Sequence, residues 1–147
     1  MIWRLATSAD VPAVVALLRD DALGAGREDE DPARYLAAFD AMQREAANHL
    51  IVGEQGGRVI ATYQLTFISG LSLRAARRAQ VESVRVASDQ RGLGIGALML
   101  ADAETRARAA GCALLQLTMN ASRDRARVFY ESVGFTASHI GFKRDLT

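Results

Sequence analysis

Arg91-Gly92-Leu93-Gly94-Ile95-Gly96 places three glycines on alternate positions behind a fixed cation. Without side chains, main-chain N–H groups of such a turn can converge on an anion. Val81, Val84 and Val86 before it are β-branched and suit a strand that ends at Ser88-Asp89. Leu98, Met99, Ala101 and Ala103 after it mix with charged residues as in a helix. A strand, a glycine turn and a helix N-terminus present unpaired donors and the positive end of a dipole, which stabilises a phosphate or diphosphate. Arg91 adds a guanidinium capable of bidentate phosphate contact.

Two other nucleotide sites are excluded. No Gly-Lys-Ser/Thr closes the turn, so it is not a P-loop. Gly92-x-Gly94-x-x-Ala97 formally fits a dinucleotide fingerprint, which needs an acidic residue at the end of the next strand. That strand, read as 113–119, ends in Asn120, and only roughly fifty residues follow the turn, too few for a doubly wound sheet.

These elements need a scaffold, and the chain supplies one in order. Ile2 to Leu5 reads as a first strand, and Thr7-x-x-Asp10 with Pro12 as a helix start. Val11, Val14, Val15, Leu17 and Leu18 form the buried side of that helix, which breaks near Gly24-Ala-Gly26. Arg27-Glu-Asp-Glu-Asp31 reads as a solvated acidic loop, with attraction of a cationic substrate as the alternative. Pro32 opens a second helix through Tyr35, Leu36, Phe39, Met42 and Ala46. Residues 49–54 and 58–68 predict a hairpin around Gln55-Gly-Gly. Ser69 to Arg78 is a basic loop with Arg74, Arg77 and Arg78. Gly111 caps the helix after the glycine turn, a last helix spans 124–133 before Gly134, and Phe135 to Phe142 is expected to be a final strand.

The 147 residues, half of them apolar, suit a single α/β (α+β) domain, 1–147, with helices on a mainly antiparallel sheet. A net charge of +1 argues against bulk binding to nucleic acid or membrane. Cys112 is the only cysteine, which fits a reducing cytoplasm, and no signal peptide or membrane span is expected. His49, His139 and Cys112 lack metal-ligand spacing, so no metal is expected.

Two stretches together resemble the Gcn5-related N-acetyltransferase (GNAT) superfamily. Gln90-Arg-Gly-Leu-Gly-Ile-Gly96 is similar to its acetyl-CoA diphosphate motif, and Asn120-x-x-Arg123-x-x-Ala126-x-x-Phe129-Tyr130-x-x-x-Gly134-Phe135 to its second block. The resemblance implies a splayed, bulged central strand flanked by about four helices, with acetyl-CoA as co-substrate. The acceptor would be a small-molecule or peptide amine, attacked directly in a ternary complex. It implies CoA contacts at Val84, Arg85 and Val86 through the backbone, and at Arg91, Gly92, Leu93, Gly94, Ile95 and Gly96. Asn120, Arg123 and Arg127 would contact the arm or phosphates of CoA. A homodimer is compatible with it, and a non-catalytic acetyl-CoA-binding regulatory domain is the alternative.

Acyl transfer from a thioester also needs an acid for the thiolate and a route for the ammonium proton. Tyr130 is the candidate acid, since a phenol of pKa about 10 can protonate a thiolate whose conjugate acid is near 8.5. Glu82, on the central strand, is the candidate base; with a usual pKa near 4.3 it requires burial or a relay through water. Acceptor choice is expected to lie in the loops at 20–33 and 69–78.

Overall fold

The computed structural model describes residues 1–147. Five strands form one sheet in the order β1 (Ile2–Leu5), β2 (Asn48–Gln55), β3 (Arg58–Ile68), β4 (Arg78–Val86) and β5 (Leu114–Leu117). Neighbours are antiparallel except β4 and β5, which are parallel. The helices are α1 (Val11–Arg19), α2 (Pro32–Arg44), a single turn α3 (Ser72–Ala75), α4 (Ile95–Ala109) and α5 (Asp124–Ser132). No helix is long and apolar enough to cross a membrane.

Local chemistry explains the elements. Gly56 and Gly57 both take positive φ, the requirement of a two-residue hairpin turn, and join β2 to β3. Asp31 caps α2 by accepting the Ala33 N–H at 3.1 Å, with Pro32 in its first position. Alternation along the strands feeds two cores. Ile51, Tyr63, Leu65 and Val81 join Met99, Leu100, Ala103 and Ala107 of α4. Val52 instead meets Val11 and Val14 of α1 and Phe39 of α2.

Polar links lock these layers. The Tyr63 hydroxyl, on a fully buried residue, donates to Asp102 at 2.5 Å, and Arg106 donates to both Asp102 and the Trp3 carbonyl. Burial, then this carboxylate, pushes the Tyr63 phenol well above its ordinary range. At the other side Arg4 bridges Asp10 at 2.7 Å and Glu54 at 2.8 Å, while Asp10 also accepts the Thr7 N–H.

One expectation is corrected here. No final strand forms over Phe135 to Phe142, because Ser138 N–H turns back to the Thr136 carbonyl at 2.9 Å and residues 136–147 stay exposed. The basic loop does connect β3 to β4, with two of its three cations drawn into the fold. Arg77 stacks over Phe67 and donates to the Ala110 carbonyl, Arg78 starts β4, and Leu73, Arg74 and Ala75 turn through left-handed backbone.

Arg4 holds the Asp10 carboxyl at about 2, against 3.8 for the free group. Asp10→Asn should therefore destabilise the fold by about 1–3 kcal/mol at neutral pH, measured by urea unfolding. A lowered carboxyl pKa contributes above 3.8 and is lost as pH falls through 2, so the deficit should shrink across that window. A pH-independent deficit would contradict the ion pair as its cause.

Candidate active site

Strand β4 carries an irregularity at its middle. Thr62 pairs with Arg85 and Gln64 with Glu82, so Tyr63 faces both Ser83 and Val84. The two-against-one mismatch is a β-bulge, and Ser83 holds it with φ of 53°. A left-handed serine costs energy, about 1–2 kcal/mol, and the surrounding sheet imposes it. The bulge resets the alternation. Val81, Val84 and Val86 pack toward the core under α4, while Glu82 and Arg85 take the opposite phase.

Beyond the bulge the sheet opens. β5 pairs with β4 only from Arg78 to Val81, so the β5-facing edge of Glu82–Val86 meets no strand. This edge borders a cleft of about 660 Å³ lined by Val84, Arg85, Val86, Arg91 and residues 122–126, with Asp21 and Ala22.

At the end of β4 the chain turns through Ser88–Gln90 into the glycines. Gly92 and Gly94 adopt φ of 78° and 81°, which side chains resist. Gly96 is needed for another reason: a Cβ there would lie 2.9 Å from Phe129 Cζ, so α4 could not approach α5. The N–H groups of Gly92, Leu93, Gly94, Ile95, Gly96 and Ala97 have no protein acceptor. Arg91 is less free than its sequence suggests. Its Nε donates to the Val86 carbonyl at 3.1 Å and its Nη2 to the Asp20 carbonyl, so it fixes the bend. The Asp20 carboxylate accepts the Ser88 N–H at 2.8 Å, which braces the same corner.

Tyr130 sits on α5, half-buried, its ring between Phe129 at 5.3 Å and Phe135 at 6.0 Å. Gly134, at φ of 97°, lets Phe135 N–H return to the Tyr130 carbonyl at 3.0 Å and fixes the ring. Its hydroxyl has no protein hydrogen-bond partner. Burial raises the phenol above its ordinary pKa, while Arg123 and Arg85 act against that rise.

The other residues fall in different places. Glu82 is exposed on β4, opposite Gln64, and forms no ion pair. Asn120 closes an Asx turn, its Oδ1 accepting the Ser122 N–H at 3.0 Å and the Ser122 hydroxyl at 2.6 Å. Arg127 lies outside the cleft and pairs with Glu131 at 3.3 Å. Arg123 turns inward to Asp21 at 2.7 Å. His139, expected on the missing strand, is exposed beside Ser138. No three His, Cys, Asp or Glu side chains gather as a metal centre.

Sequence reasoning passed over Asp21 and the side chain of Arg85. Asp21 follows α1 and joins Arg85 Nε at 3.2 Å as well as Arg123. Burial opposes its charge, but the Arg123 hydrogen bond, the Leu23 amide and Arg85 hold its carboxyl below the usual range. The acidic loop is spoken for locally. Glu28 accepts from Tyr35, Asp29 and Glu30 pair with Arg34 and Arg19, and Asp31 caps α2. Residues 69–78 contribute nothing to the cleft, since they lie at the start of β4 and not at its open end.

Known proteins resemble this chain in sequence and in fold. The aminoalkylphosphonate N-acetyltransferase of Salmonella typhimurium is 29% identical over 97% of this chain and 90% of its own length. A structure from Bacillus halodurans C-125, described as a transcriptional regulator, is 38% identical and superposes with a TM-score of 0.94 over 99% of both chains. A protein of Agrobacterium tumefaciens C58 assigned to the acetyltransferases is 26% identical, with a TM-score of 0.89 over 99% of both chains. Residues 12–135 match the description "Acetyltransferase (GNAT) family", and on that match and this fold the chain belongs to the GNAT acetyltransferases.

Proposed function

We propose that this protein is an N-acetyltransferase that transfers the acetyl group of acetyl-CoA to a primary amine by direct attack in a ternary complex. The observation that carries this reading is the run of six acceptor-less amides at Gly92–Ala97 beside the open edge of β4. The donors suit a diphosphate, and the unpaired strand edge suits the amide-bearing pantetheine arm as an added strand would. When bound, acetyl-CoA would supply the acetyl group as an activated thioester. Amide formation then releases CoA thiol and one proton per ammonium consumed.

The chain's own residues would handle position and protons. Gly92–Ala97 hold the diphosphate, with Arg91 fixing the bend. An N–H of Val84, Arg85 or Val86 offers the thioester oxygen a donor. The Tyr130 phenol, kept protonated by burial, donates to the leaving sulfur. Glu82, being exposed, would take the ammonium proton through water. The name of the Salmonella relative specifies small amines, which favours a small-molecule acceptor over a protein one. The regulator from Bacillus halodurans supports a second reading, a non-catalytic acetyl-CoA-binding regulatory domain, which would bind without turnover.

Gly94→Val should weaken acetyl-CoA binding at least about a hundredfold by calorimetry, since a β-branched residue resists the φ of 81° that aims the amides. Wild-type affinity in a folded variant would remove the turn from the site. Tyr130→Phe should keep acetyl-CoA affinity and lower turnover by about one hundredfold. Because burial raises this phenol above its ordinary pKa, any alkaline loss of wild-type activity from this group should come at higher pH than for a free phenol. Unchanged turnover in Tyr130→Phe would dismiss it as the acid. Glu82→Gln should lose most activity at low pH and recover toward the pKa of the amine, where less deprotonation is needed. A pH–rate profile superimposing on wild type would return Glu82 to a structural part.

A further inference from the structure

A second cavity, of about 120 Å³, shares no lining residue with the cleft and reaches Ser83, the residue that holds the bulge. Nine of its twelve lining residues are hydrophobic, so its interior offers water few partners. Val15 and Leu18 of α1, Tyr35 and Met42 of α2 and Leu50 of β2 form the walls. These five are only half-buried, whereas Val11, Val14 and Phe39 beside them are packed away. The Tyr35 ring is held from outside, its hydroxyl donating to Glu28 at 2.7 Å and accepting the Asp29 N–H at 3.0 Å. A hydrocarbon group placed among these side chains gains about fourfold in affinity per buried methylene.

The rim has the opposite character. Thr62, Gln64 and Ser83 form the floor, and Gln64 pairs across the strands with Glu82. Directly paired residues share one face of a sheet, their Cβ atoms about 5 Å apart, so Glu82 stands beside the cavity. Gln64 Nε2 donates to Asn48 Oδ1 at 2.8 Å, which leaves its Oε1 without a protein donor. The Ser83 hydroxyl and the Glu82 carboxylate are exposed. No cationic side chain lines the cavity. Oxygen acceptors around an apolar hole match an alkylammonium, with hydrocarbon inside and N–H groups at the rim. Val84–Val86, which carry the amides assigned to the thioester oxygen, follow Ser83 directly.

Building on the acetyl-transfer reading, we propose that this cavity selects the acceptor. The preferred acceptor is then a small primary amine whose far end is a short branched hydrocarbon chain. Gln64 Oε1, Ser83 Oγ and Glu82 receive its N–H groups. A dry cavity of roughly 150 Å³ holds a benzene molecule, so one of 120 Å³ fits about four or five carbons and excludes fused rings. Acceptor choice rests on the packing of α1 against α2 more than on the loops at 20–33 and 69–78.

The test compares kcat/KM for methylamine, isopentylamine, 3-amino-1-propanol, 2-aminoethylphosphonate and 2-(1-naphthyl)ethylamine. Isopentylamine should exceed methylamine by about a hundredfold and 3-amino-1-propanol by at least about tenfold, with the naphthyl amine poor. Ala38→Leu, which fills the cavity from an exposed position of α2, should cut the ratio of isopentylamine to methylamine about tenfold. Leu50→Ala, which enlarges it, should raise the ratio of 2-phenylethylamine to isopentylamine by a similar factor. Ratios within one variant do not depend on how much of it is folded or loaded with acetyl-CoA. Opposite shifts on filling and emptying separate a substrate pocket from a packing fault. A second readout is isopentanol, an apolar probe without an amine, which should shift the methyl resonances of Val15, Leu18 and Leu50 in labelled protein. A flat amine series, a preference for 2-aminoethylphosphonate over isopentylamine, or unmoved methyls would overturn the assignment while leaving acetyl transfer intact. Methyls that shift while no amine is acetylated would instead overturn the transferase reading and keep the pocket.

Discussion

The structure depends on the place where β4 stops pairing with β5. Parallel pairing lasts four residues, to Val81 and Leu117, and the bulge at Ser83 follows immediately. An unpaired strand edge in a protein's interior is costly unless water or a ligand meets its polar groups. Here the edge opens on a cleft, so the missing pairing becomes a binding surface. Everything near it keeps the two strands apart while fixing their ends. Asp21 ties the end of α1 to Arg85 on β4 and to Arg123 before α5, bracing both lips of the opening. Gly96 lets α4 press on Phe129 and so sets where the glycine turn lies relative to Tyr130.

The same corner shows how polar groups are divided between structure and chemistry. Arg91 and Asp20 are used up in holding the bend, and Asn120 in closing its own turn. The amides of Gly92–Ala97, the Tyr130 hydroxyl and spare donors on Arg85 and Arg123 are not. The spare arginine donors line the cleft, and the amides of Gly92–Ala97 follow directly on Arg91 at its rim, so the groups free for a ligand gather around one opening.

Much of this was legible in the chain. Gly56-Gly57 gave the hairpin, Pro32 after Asp31 the start of α2, and the strand-to-turn-to-helix sequence around Gly92 the corner that matters. Even the bulge left a trace, because Val81, Val84 and Val86 are spaced by three and then two where a regular strand needs two throughout. Long-range pairs were not legible. Nothing local joins Asp21 to Arg123, or Tyr63 to Asp102, and only the fold brings such residues together. The tail failed for a local reason: alternating Ile140 and Phe142 look like a strand, but the turn at Thr136–Ser138 and the absence of a paired neighbour leave them exposed.

The most direct measurement is amide chemical-shift mapping on isotopically labelled protein as acetyl-CoA is added. The largest shifts should fall at Gly92–Ala97 and along Glu82–Val86, with β1 and the Gly56–Gly57 hairpin unmoved. Saturable binding that leaves the Gly92–Ala97 amides where they were, or no binding at all, would contradict it.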